Sequence, residues 1–323
     1  MNIYKSLLKP LLFSVDPEIA HDLATIFIKN YSGLFNNSYE NPKLRKNICG
    51  MDFKNPIGLA AGFDKNAELI NQIPTLGFGF MEVGTITPKP QEGNPKPRMI
   101  RITDHQSLIN SMGFNNDGLD AIAKRLEKRN VSDFIIGANI GKNKSTLNVN
   151  AHLDYVACFH VLQDLVDYIT INISSPNTPT LRELLGKESL GLILESVQNQ
   201  NAKRSTAKPI FLKISPDLTN DEILRVAKTC EQYNIDGIVS TNTTTHHTYS
   251  FGGMSGKLLG KRSEDVSNII KQNSNLKIIS SGGISNKEIA IERLKNFDLI
   301  QLYTGLVYEG PSITKKILKS LWN

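Results

Sequence analysis

Amide and lysine side chains follow several short apolar runs of this sequence, at points where a strand would give way to a loop. The asparagines in such positions are Asn139, Asn172, Asn177 and Asn242, and the lysines are Lys65 and Lys213. An asparagine amide both donates and accepts hydrogen bonds, so a ring of amides suits a flat ligand with alternating carbonyl and N–H groups, such as a pyrimidine or a flavin. One asparagine after a strand usually forms a turn. Several at the same end of one fold indicate a ligand site.

Glycines close two later apolar runs and indicate where a phosphate could bind. Gly282-Gly283 closes one run, and Tyr303-Thr304-Gly305 closes the next. Glycine lets the backbone approach an anion closely, and bare backbone N–H groups are common phosphate ligands. A Gly-Gly pair alone often does no more than end a strand. Its combination with the Thr-Gly turn favours a phosphorylated cofactor between the two runs.

Lys213 lies inside the apolar run Phe-Leu-Lys-Ile, so its side chain is expected to point into the ligand end of the fold. A lysine there can form a Schiff base or stabilise negative charge on a ring. A Schiff-base enzyme would need an acid–base partner, and Asp64 is the one carboxylate among these loops. An anionic reduced flavin would use the positive charge directly. A lysine on a surface strand is the remaining alternative.

The elements that must position these residues alternate between β-rich runs and helix-length amphipathic stretches, which is typical of βα units around a parallel sheet. The predicted strands are Ile57–Ala60, Phe80–Val83, Phe134–Asn139, Tyr168–Ile173, Ile210–Ile214, Gly237–Thr241, Lys277–Ser281 and Leu299–Tyr303. The helices between them include Asp117–Lys128, Val149–Leu165, Asp221–Tyr233 and Asn286–Leu294. Eight strands, each followed by a helix, predict an α/β fold of the (β/α)₈ TIM-barrel type, with its site at the carboxyl ends of the strands. A doubly wound sheet is the rival, but Gly-Leu-Ala-Ala-Gly-Phe-Asp-Lys after the first strand does not fit its GxGxxG signature.

The segment before the barrel has its own pattern. Apolar residues recur at helical spacing from Ile3 to Leu12, and Asp16 followed by Pro17 predicts the start of a second helix. These two helices form a predicted N-terminal amphipathic hairpin, which either packs on the barrel or leaves apolar surface for a membrane. We therefore divide the chain into residues 1–40 (the hairpin) and 41–323 (the barrel). Residues 41–56 are expected to form a short β hairpin that turns at Gly50 and closes the barrel floor.

Composition excludes several other classes of protein. The chain has 323 residues and a net charge of +6, from 37 Lys and Arg against 31 Asp and Glu, with no long basic tract to bind nucleic acid. Three distant cysteines and no Cys/His cluster predict neither a disulfide framework nor a metal site. No apolar run approaches the roughly 20 residues that span a bilayer, and the first residues lack a signal peptide's apolar centre. A reducing cytoplasmic compartment is expected.

Several blocks of the sequence resemble the dihydroorotate dehydrogenase family. They are Ala-Ala-Gly-Phe-Asp-Lys (60–65), Val-Gly-Thr-Ile-Thr-Pro-Lys-Pro-Gln (83–91), Asn-Ser-Met-Gly-Phe-Asn-Asn (110–116), Asn-Ile-Gly-Lys-Asn-Lys (139–144), Asn-Ile-Ser-Ser-Pro-Asn-Thr-Pro (172–179), Phe-Leu-Lys-Ile-Ser-Pro-Asp (211–217), Ser-Thr-Asn-Thr-Thr (240–244), Gly-Gly-Met-Ser-Gly (252–256) and Ser-Gly-Gly-Ile (281–284). These blocks run in the expected order over essentially the whole chain. The resemblance implies an FMN-dependent barrel that oxidises dihydroorotate to orotate in pyrimidine synthesis.

The resemblance also implies a class within the family. Members that use fumarate or NAD carry cysteine in the loop after the fourth strand, whereas quinone-linked, membrane-associated members carry serine there and have an N-terminal helical extension. This sequence has Ser175 in that loop and the hairpin of residues 3–31. Both features favour the quinone-linked class, as a monomer attached peripherally to the cytoplasmic face of the cell membrane. The alternatives are a flavin barrel that uses fumarate or another acceptor, and a non-enzymatic barrel that only binds a phosphorylated ligand.

Residue roles follow from the same resemblance. Ser175 would remove the proton from C5 of dihydroorotate, with Thr178 as a candidate hydrogen-bond relay, while hydride from C6 passes to the flavin N5. The implied FMN ligands are Ala61, Gly62, Phe63, Asp64, Lys65, Thr85, Asn139, Asn172, Lys213, Thr241, Gly256, Gly283, Tyr303 and Thr304. The implied substrate ligands are Lys65, Asn110, Ser111, Met112, Gly113, Phe114, Asn172, Asn177, Asn242 and Thr243. The implied quinone-site residues are His21, Arg101 and Tyr303.

The sequence departs from the family pattern in three places. Ser111 stands where family members often have arginine, and Ser280-Ser281 precede the Gly-Gly pair where a glycine and a small apolar residue are common. The stretch between Asn242 and Gly252 is shorter than in some relatives. These departures concern loop geometry and leave Ser175 and the substrate asparagines intact.

Overall fold

A closed barrel of eight parallel strands forms the centre of the computed structural model, which describes residues 4–35 and 41–322. The strands are β1 (Lys46–Ile48), β2 (Met51–Phe53), β3 (Ile57–Leu59), β4 (Phe80–Ile86), β5 (Met99–Ile102), β6 (Ser107–Asn110), β7 (Ile135–Ile140), β8 (Tyr168–Asn172), β9 (Ile210–Ile214), β10 (Gly237–Ser240), β11 (Gly253–Gly256), β12 (Lys277–Ser281) and β13 (Leu299–Leu302). The barrel order is β3-β4-β7-β8-β9-β10-β12-β13, and β13 pairs with β3 to close it. The predicted TIM barrel is confirmed, although several strand ends lie one to three residues from their predicted positions.

Helices surround the barrel and follow all but one of its strands. They are α1 (Lys9–Phe13), α2 (Pro17–Tyr31), α3 (Leu119–Leu126), α4 (Ala151–Leu162), α5 (Lys187–Asn201), α6 (Asn220–Gln232), α7 (Gly260–Asn273), α8 (Lys287–Asn296), α9 (Thr304–Glu309) and α10 (Ile313–Trp322). The expectation of a helix after every strand is wrong for β3, which leads to β4 through the single 3-10 turn Ile73–Leu76. Gly77 ends this turn in the left-handed conformation, with φ at 85°, and the chain then enters β4.

A three-stranded antiparallel sheet, which the sequence did not predict, covers part of the barrel mouth. Its order is β11-β6-β5, and Asn110 at the end of β6 is registered with Met99 on one side and Gly253 on the other. The sheet therefore joins segments that lie far apart in the chain. As a result, the block 110–116 leaves this sheet at a fixed position instead of forming a free loop.

The opposite end of the barrel is closed by the antiparallel pair β1 and β2, as predicted. Their turn lies at Cys49 and Gly50, with φ values of 51° and 77°. A second apolar cluster fills the barrel floor between this hairpin and the amino ends of the barrel strands; its buried members are Ile48, Met51, Phe53, Phe80, Tyr168, Phe211, Val239, Ile279 and Leu299. Ligand chemistry is thereby restricted to the carboxyl end.

The predicted N-terminal hairpin is present in the described residues. A π-helical turn, Tyr4–Leu8, leads into α1, and α2 begins after Asp16, whose side chain accepts hydrogen bonds from the N–H groups of Glu18 and Ile19. Glu18 also accepts two hydrogen bonds from the Arg98 guanidinium, at 2.7 and 3.1 Å, which fasten α2 to the barrel. Ile3 and the proposed domain limit at residue 40 lie outside the described residues.

The outer face of this hairpin carries large exposed apolar side chains. They include Leu7, Leu11, Ile19, Leu23, Ile26 and Leu34, with exposed fractions of 49–74%. Contiguous exposed apolar residues of this kind mark interaction surfaces. Among the described helices, none combines the length and the apolar character that crossing a membrane requires.

Candidate active site

A cavity of about 1110 Å³, including its mouth, opens among the carboxyl ends of the barrel strands. The residues predicted as cofactor or substrate ligands that line it are Ala61, Gly62, Lys65, Thr85, Asn110, Met112, Gly113, Phe114, Asn172, Ser175, Asn177, Lys213, Thr241, Asn242, Thr243, Gly256, Gly283, Tyr303 and Thr304. The fold thus brings together residues spread over more than two hundred positions of the sequence.

Four of the predicted site residues do not line this cavity. The Asp64 carboxylate accepts hydrogen bonds from the N–H groups of Glu68 and Leu69, at 2.9 and 2.8 Å, and so fixes the loop after β3. Ser111 is bonded to Asn94, and Phe63 lines a different cavity. Asn139 lies behind Thr85 and Asn172. These side chains support the wall from behind.

Ser175 is 6% exposed and lies in the loop after β8. Its hydroxyl oxygen accepts a hydrogen bond from the N–H of Asn177 at 3.2 Å. The hydroxyl of Thr178, the predicted relay, is buried and has no hydrogen-bond partner among the described residues. A Ser175–Thr178 relay therefore needs a bridging group between the two hydroxyls.

Hydrogen bonds between amides connect the loops around Ser175. Asn177 Nδ2 donates to Asn110 Oδ1 at 3.2 Å, which joins the loop after β8 to the antiparallel sheet. Asn242 Nδ2 donates to Ser174 Oγ at 3.1 Å, which joins that loop to the end of β10. Because each amide still has further donor or acceptor capacity, the cluster can both hold its own shape and bind a planar ligand.

Of the two lysines of the cavity, Lys213 is buried and Lys65 is partly buried, and the loss of solvent lowers both pKa values. The pKa of Lys65 falls to about 8, mainly because of burial, although the Glu18 carboxylate opposes this effect. The pKa of Lys213 is also lowered by burial, and the negative charge of Glu82 counteracts it. The cavity therefore presents two basic side chains and suits an anionic or electron-rich ligand.

Glycines shape the part of the cavity between β12 and β13. Gly282 and Gly283 have φ values of 107° and 75°, and a Cβ on Gly283 would lie 2.0 Å from the Cα of Gly260. A Cβ on Gly305 would lie 2.2 Å from the carbonyl oxygen of Ile284. Only glycine fits these positions, and its bare backbone is what a phosphate group requires.

The sequence analysis missed Met99, Leu108 and Ser255 of the antiparallel sheet, together with Gln301 of β13, all of which line the cavity. Gln301 gave a signal that could have been used, since it is a polar residue in the apolar run Leu-Ile-Gln-Leu. Its Oε1 atom and the Thr243 hydroxyl are buried and have no hydrogen-bond partner within residues 4–35 and 41–322. These polar atoms, the two lysines and the bare backbone fit a flat phosphorylated ligand such as FMN.

A second cavity, of about 710 Å³, lies between the N-terminal hairpin and the barrel. The three residues predicted for a quinone site, His21, Arg101 and Tyr303, all line it among mostly apolar neighbours. Burial, aided by the charge of Lys65, lowers the pKa of His21 to about 4, so its imidazole is neutral near pH 7. Met99, Leu108 and Tyr303 line both cavities, so a single layer of side chains separates them.

Comparisons with known proteins identify close relatives. Residues 43–323 match the family model described as dihydroorotate dehydrogenase. Proteins named dihydroorotate dehydrogenase (quinone) from Christiangramia forsetii and Bartonella tribocorum are 44% and 42% identical to this chain, over 98% and 99% of it and over 97% and 92% of their own lengths. The crystal structure of DHODH from Eimeria tenella in complex with ferulenol superposes with a TM-score of 0.89 at 36% identity, covering 95% of this chain and 90% of that one.

Proposed function

The chain belongs to the dihydroorotate dehydrogenase family of oxidoreductases, and we propose that it oxidises dihydroorotate to orotate with FMN in the main cavity and a membrane quinone as final electron acceptor. The reaction belongs to pyrimidine biosynthesis. The observation that carries the proposal is the position of Ser175, buried in a cavity lined by Asn110, Asn172, Asn177 and Asn242 and by two lysines. This arrangement combines a candidate base with the donors and acceptors that a pyrimidine ring needs.

The chemistry assigned to this chain's residues is proton removal and charge stabilisation. Ser175 takes the proton from C5 of dihydroorotate, and burial excludes the water that would compete for it. The amides of the cavity hold the dihydroorotate ring, and the Lys65 ammonium pairs with the carboxylate of that substrate. When bound, FMN supplies the acceptor for two electrons, and Lys213 stabilises negative charge on it. The glycines at 282–283 and the start of α9 at Thr304-Gly305 would hold its phosphate.

The second cavity is the proposed path for a quinone, which carries an apolar tail. It opens beneath α1 and α2, whose outer face is apolar, and it shares Tyr303 with the main cavity. We assign His21, Arg101 and Tyr303 to its ligand. The exposed face of the hairpin rests on the cytoplasmic surface of the cell membrane, so that the acceptor enters from lipid, and the enzyme acts as a monomer.

Stopped-flow spectroscopy of the purified protein tests these assignments together. We expect a yellow protein whose flavin absorbance is bleached by dihydroorotate and restored rapidly by a quinone in detergent. Rapid recovery with fumarate and none with quinone would instead assign the enzyme to a fumarate-linked activity. A colourless protein after gentle purification would contradict the FMN assignment.

Orotate binding is expected to weaken above pH 8. The Lys65 ammonium, with its pKa lowered to about 8, loses its proton as the pH rises through that value, and the electrostatic attraction to the orotate carboxylate is lost. The dissociation constant, followed through the spectral change of bound flavin, should rise about tenfold between pH 7 and pH 9. Lys65→Met should bind weakly at every pH. A constant affinity of the unmodified protein from pH 7 to 9 would contradict the assignment.

A further inference from the structure

Glu82 is a fully buried carboxylate that the proposed reaction does not yet use. It lies on β4 inside the barrel, behind the wall of the main cavity. Four hydrogen-bond donors surround it: Asn139 Nδ2 at 2.7 Å on Oε1, and Tyr168 OH at 3.2 Å, Thr170 Oγ1 at 3.0 Å and Gln301 Nε2 at 2.9 Å on Oε2. An ion is kept in a protein interior only when such donors and an opposite charge compensate for its lost hydration.

The opposite charge is Lys213. Its strand, β9, lies three strands from β4 in the barrel order, and Glu82 is the one charge found to act on the lysine among the described residues. Of the other groups that contact Glu82, Tyr168 on β8 is titratable, and burial together with the Glu82 charge raises its pKa far above the usual range, so it stays a neutral donor. Thr170, Asn139 and Gln301 carry no charge. Lys213 is therefore the cation whose charge compensates that of Glu82 inside the barrel.

Because a carboxylate only accepts hydrogen bonds, each neighbouring amide must direct its NH₂ group to Glu82, which fixes the orientation of that amide. Asn139 must direct Nδ2 to Glu82, and its Oδ1 then accepts from Thr85 Oγ1 at 2.6 Å and Asn172 Nδ2 at 2.9 Å. Asn172 is thereby oriented in turn, with its Oδ1 left to accept from the loop after β8, at the Ser174 hydroxyl.

Gln301 is oriented in the same way. Its Nε2 is bonded to Glu82, which leaves Oε1, the buried acceptor without a protein partner, for a ligand in the cavity that this residue lines. The buried charge of Glu82 thus determines which amide atoms donate and which accept at two cavity residues, Asn172 and Gln301. It also acts on a third cavity residue, Lys213.

We propose that Glu82 is a positioning residue for the flavin end of the site: its negative charge accompanies Lys213, and its hydrogen bonds fix the amide of Asn172 and leave the Oε1 atom of Gln301 as an acceptor for the cofactor. This inference rests on the proposed FMN-dependent function. The Glu82→Gln substitution removes the charge at nearly constant volume and replaces an obligate acceptor by a group that can also donate.

FMN release from the holoenzyme provides the test, because free flavin is fluorescent and its dissociation constant can be measured without turnover. In Glu82→Gln, Lys213 loses its proton at lower pH than in the unmodified protein, since its counter-ion is gone. We expect the FMN dissociation constant of this variant to rise at least tenfold between pH 7 and pH 9, against less than threefold for the unmodified protein. A purely structural defect would weaken binding equally at both pH values.

Three matched variants complete the test. Glu82→Asp retains the charge and should retain the flat pH profile. Lys213→Met, alone or combined with Glu82→Gln, should bind FMN weakly and without the added pH dependence. If Glu82→Gln binds FMN with the profile of the unmodified protein, the inference is overturned, whereas failure of the unmodified protein to bind FMN would overturn the proposed function itself.

Thermal unfolding tests the same pair should Glu82→Gln not fold. Lys213→Met leaves the buried Glu82 carboxylate without a cation nearby, whereas Glu82→Gln/Lys213→Met removes that charge as well. The unfolding midpoint of Lys213→Met at pH 7 should therefore lie below that of Glu82→Gln/Lys213→Met. Equal midpoints would overturn the pairing.

Discussion

Replacing Ser175 by alanine is expected to lower the turnover number about 10²–10⁴-fold at pH 7, the usual contribution of a positioned general base. The substitution removes only the hydroxyl oxygen of a buried side chain, so the shape of the cavity and its capacity to bind FMN should remain. Turnover is measured as orotate formation, and flavin content from the absorbance of the purified variant. The loss should become smaller as the pH rises, because hydroxide can replace the missing base.

A second substitution at the same position separates proton removal from packing. Ser175→Cys returns an ionisable group of similar size, so it should recover part of the activity that Ser175→Ala loses, with a shifted pH profile. Full activity of Ser175→Ala at pH 7, with orotate still formed, would remove Ser175 from the mechanism.

Replacing Ile19, Leu23 and Ile26 together by aspartate is expected to weaken vesicle binding about 100-fold. These three residues of α2 are about half exposed, and each contributes about 1 kcal/mol when it enters an apolar environment. Three such losses total about 3 kcal/mol, which corresponds to that factor. Co-sedimentation with vesicles that contain anionic lipid measures the effect. Turnover with a short-chain quinone, which needs no lipid, should change little.

The chain offers a matched control on another surface. Leu147, Val149 and Leu153 are exposed apolar residues at 70%, 71% and 56%, and they lie near the start of α4, outside the hairpin. Their replacement by aspartate adds the same charge to the protein and should leave vesicle binding unchanged. Equal loss in both triple variants would contradict a specific membrane role of the hairpin.

Local pattern was sufficient to predict the barrel, because buried parallel strands have short apolar runs and their ends carry the polar residues of the site. Residues such as Asn172, Lys213 and Gly283 could be assigned to one cavity for this reason. The N-terminal hairpin was equally accessible, since the Asp16-Pro17 helix start depends on neighbours in sequence.

Long-range pairing explains what the sequence could not reveal. The antiparallel sheet depends on the register of Asn110 with Gly253, which no local periodicity encodes. The family resemblance implied that Asp64 is a cofactor ligand, yet its partners are the N–H groups four and five residues later. Glu82 is the one charged residue of β4, and its importance becomes visible only when three other strands bring their side chains to it.

The thin partition formed by Met99, Leu108 and Tyr303 has a consequence for inhibitor design. Because the main cavity and the second cavity are separate and share only this layer of side chains, a compound bound under the hairpin would not displace dihydroorotate from its proposed site. Selectivity could then be sought among hairpin residues such as His21, whose neighbours differ in chemistry from the pyrimidine-binding amides. Resistance could arise there too, without damage to the groups that handle the pyrimidine.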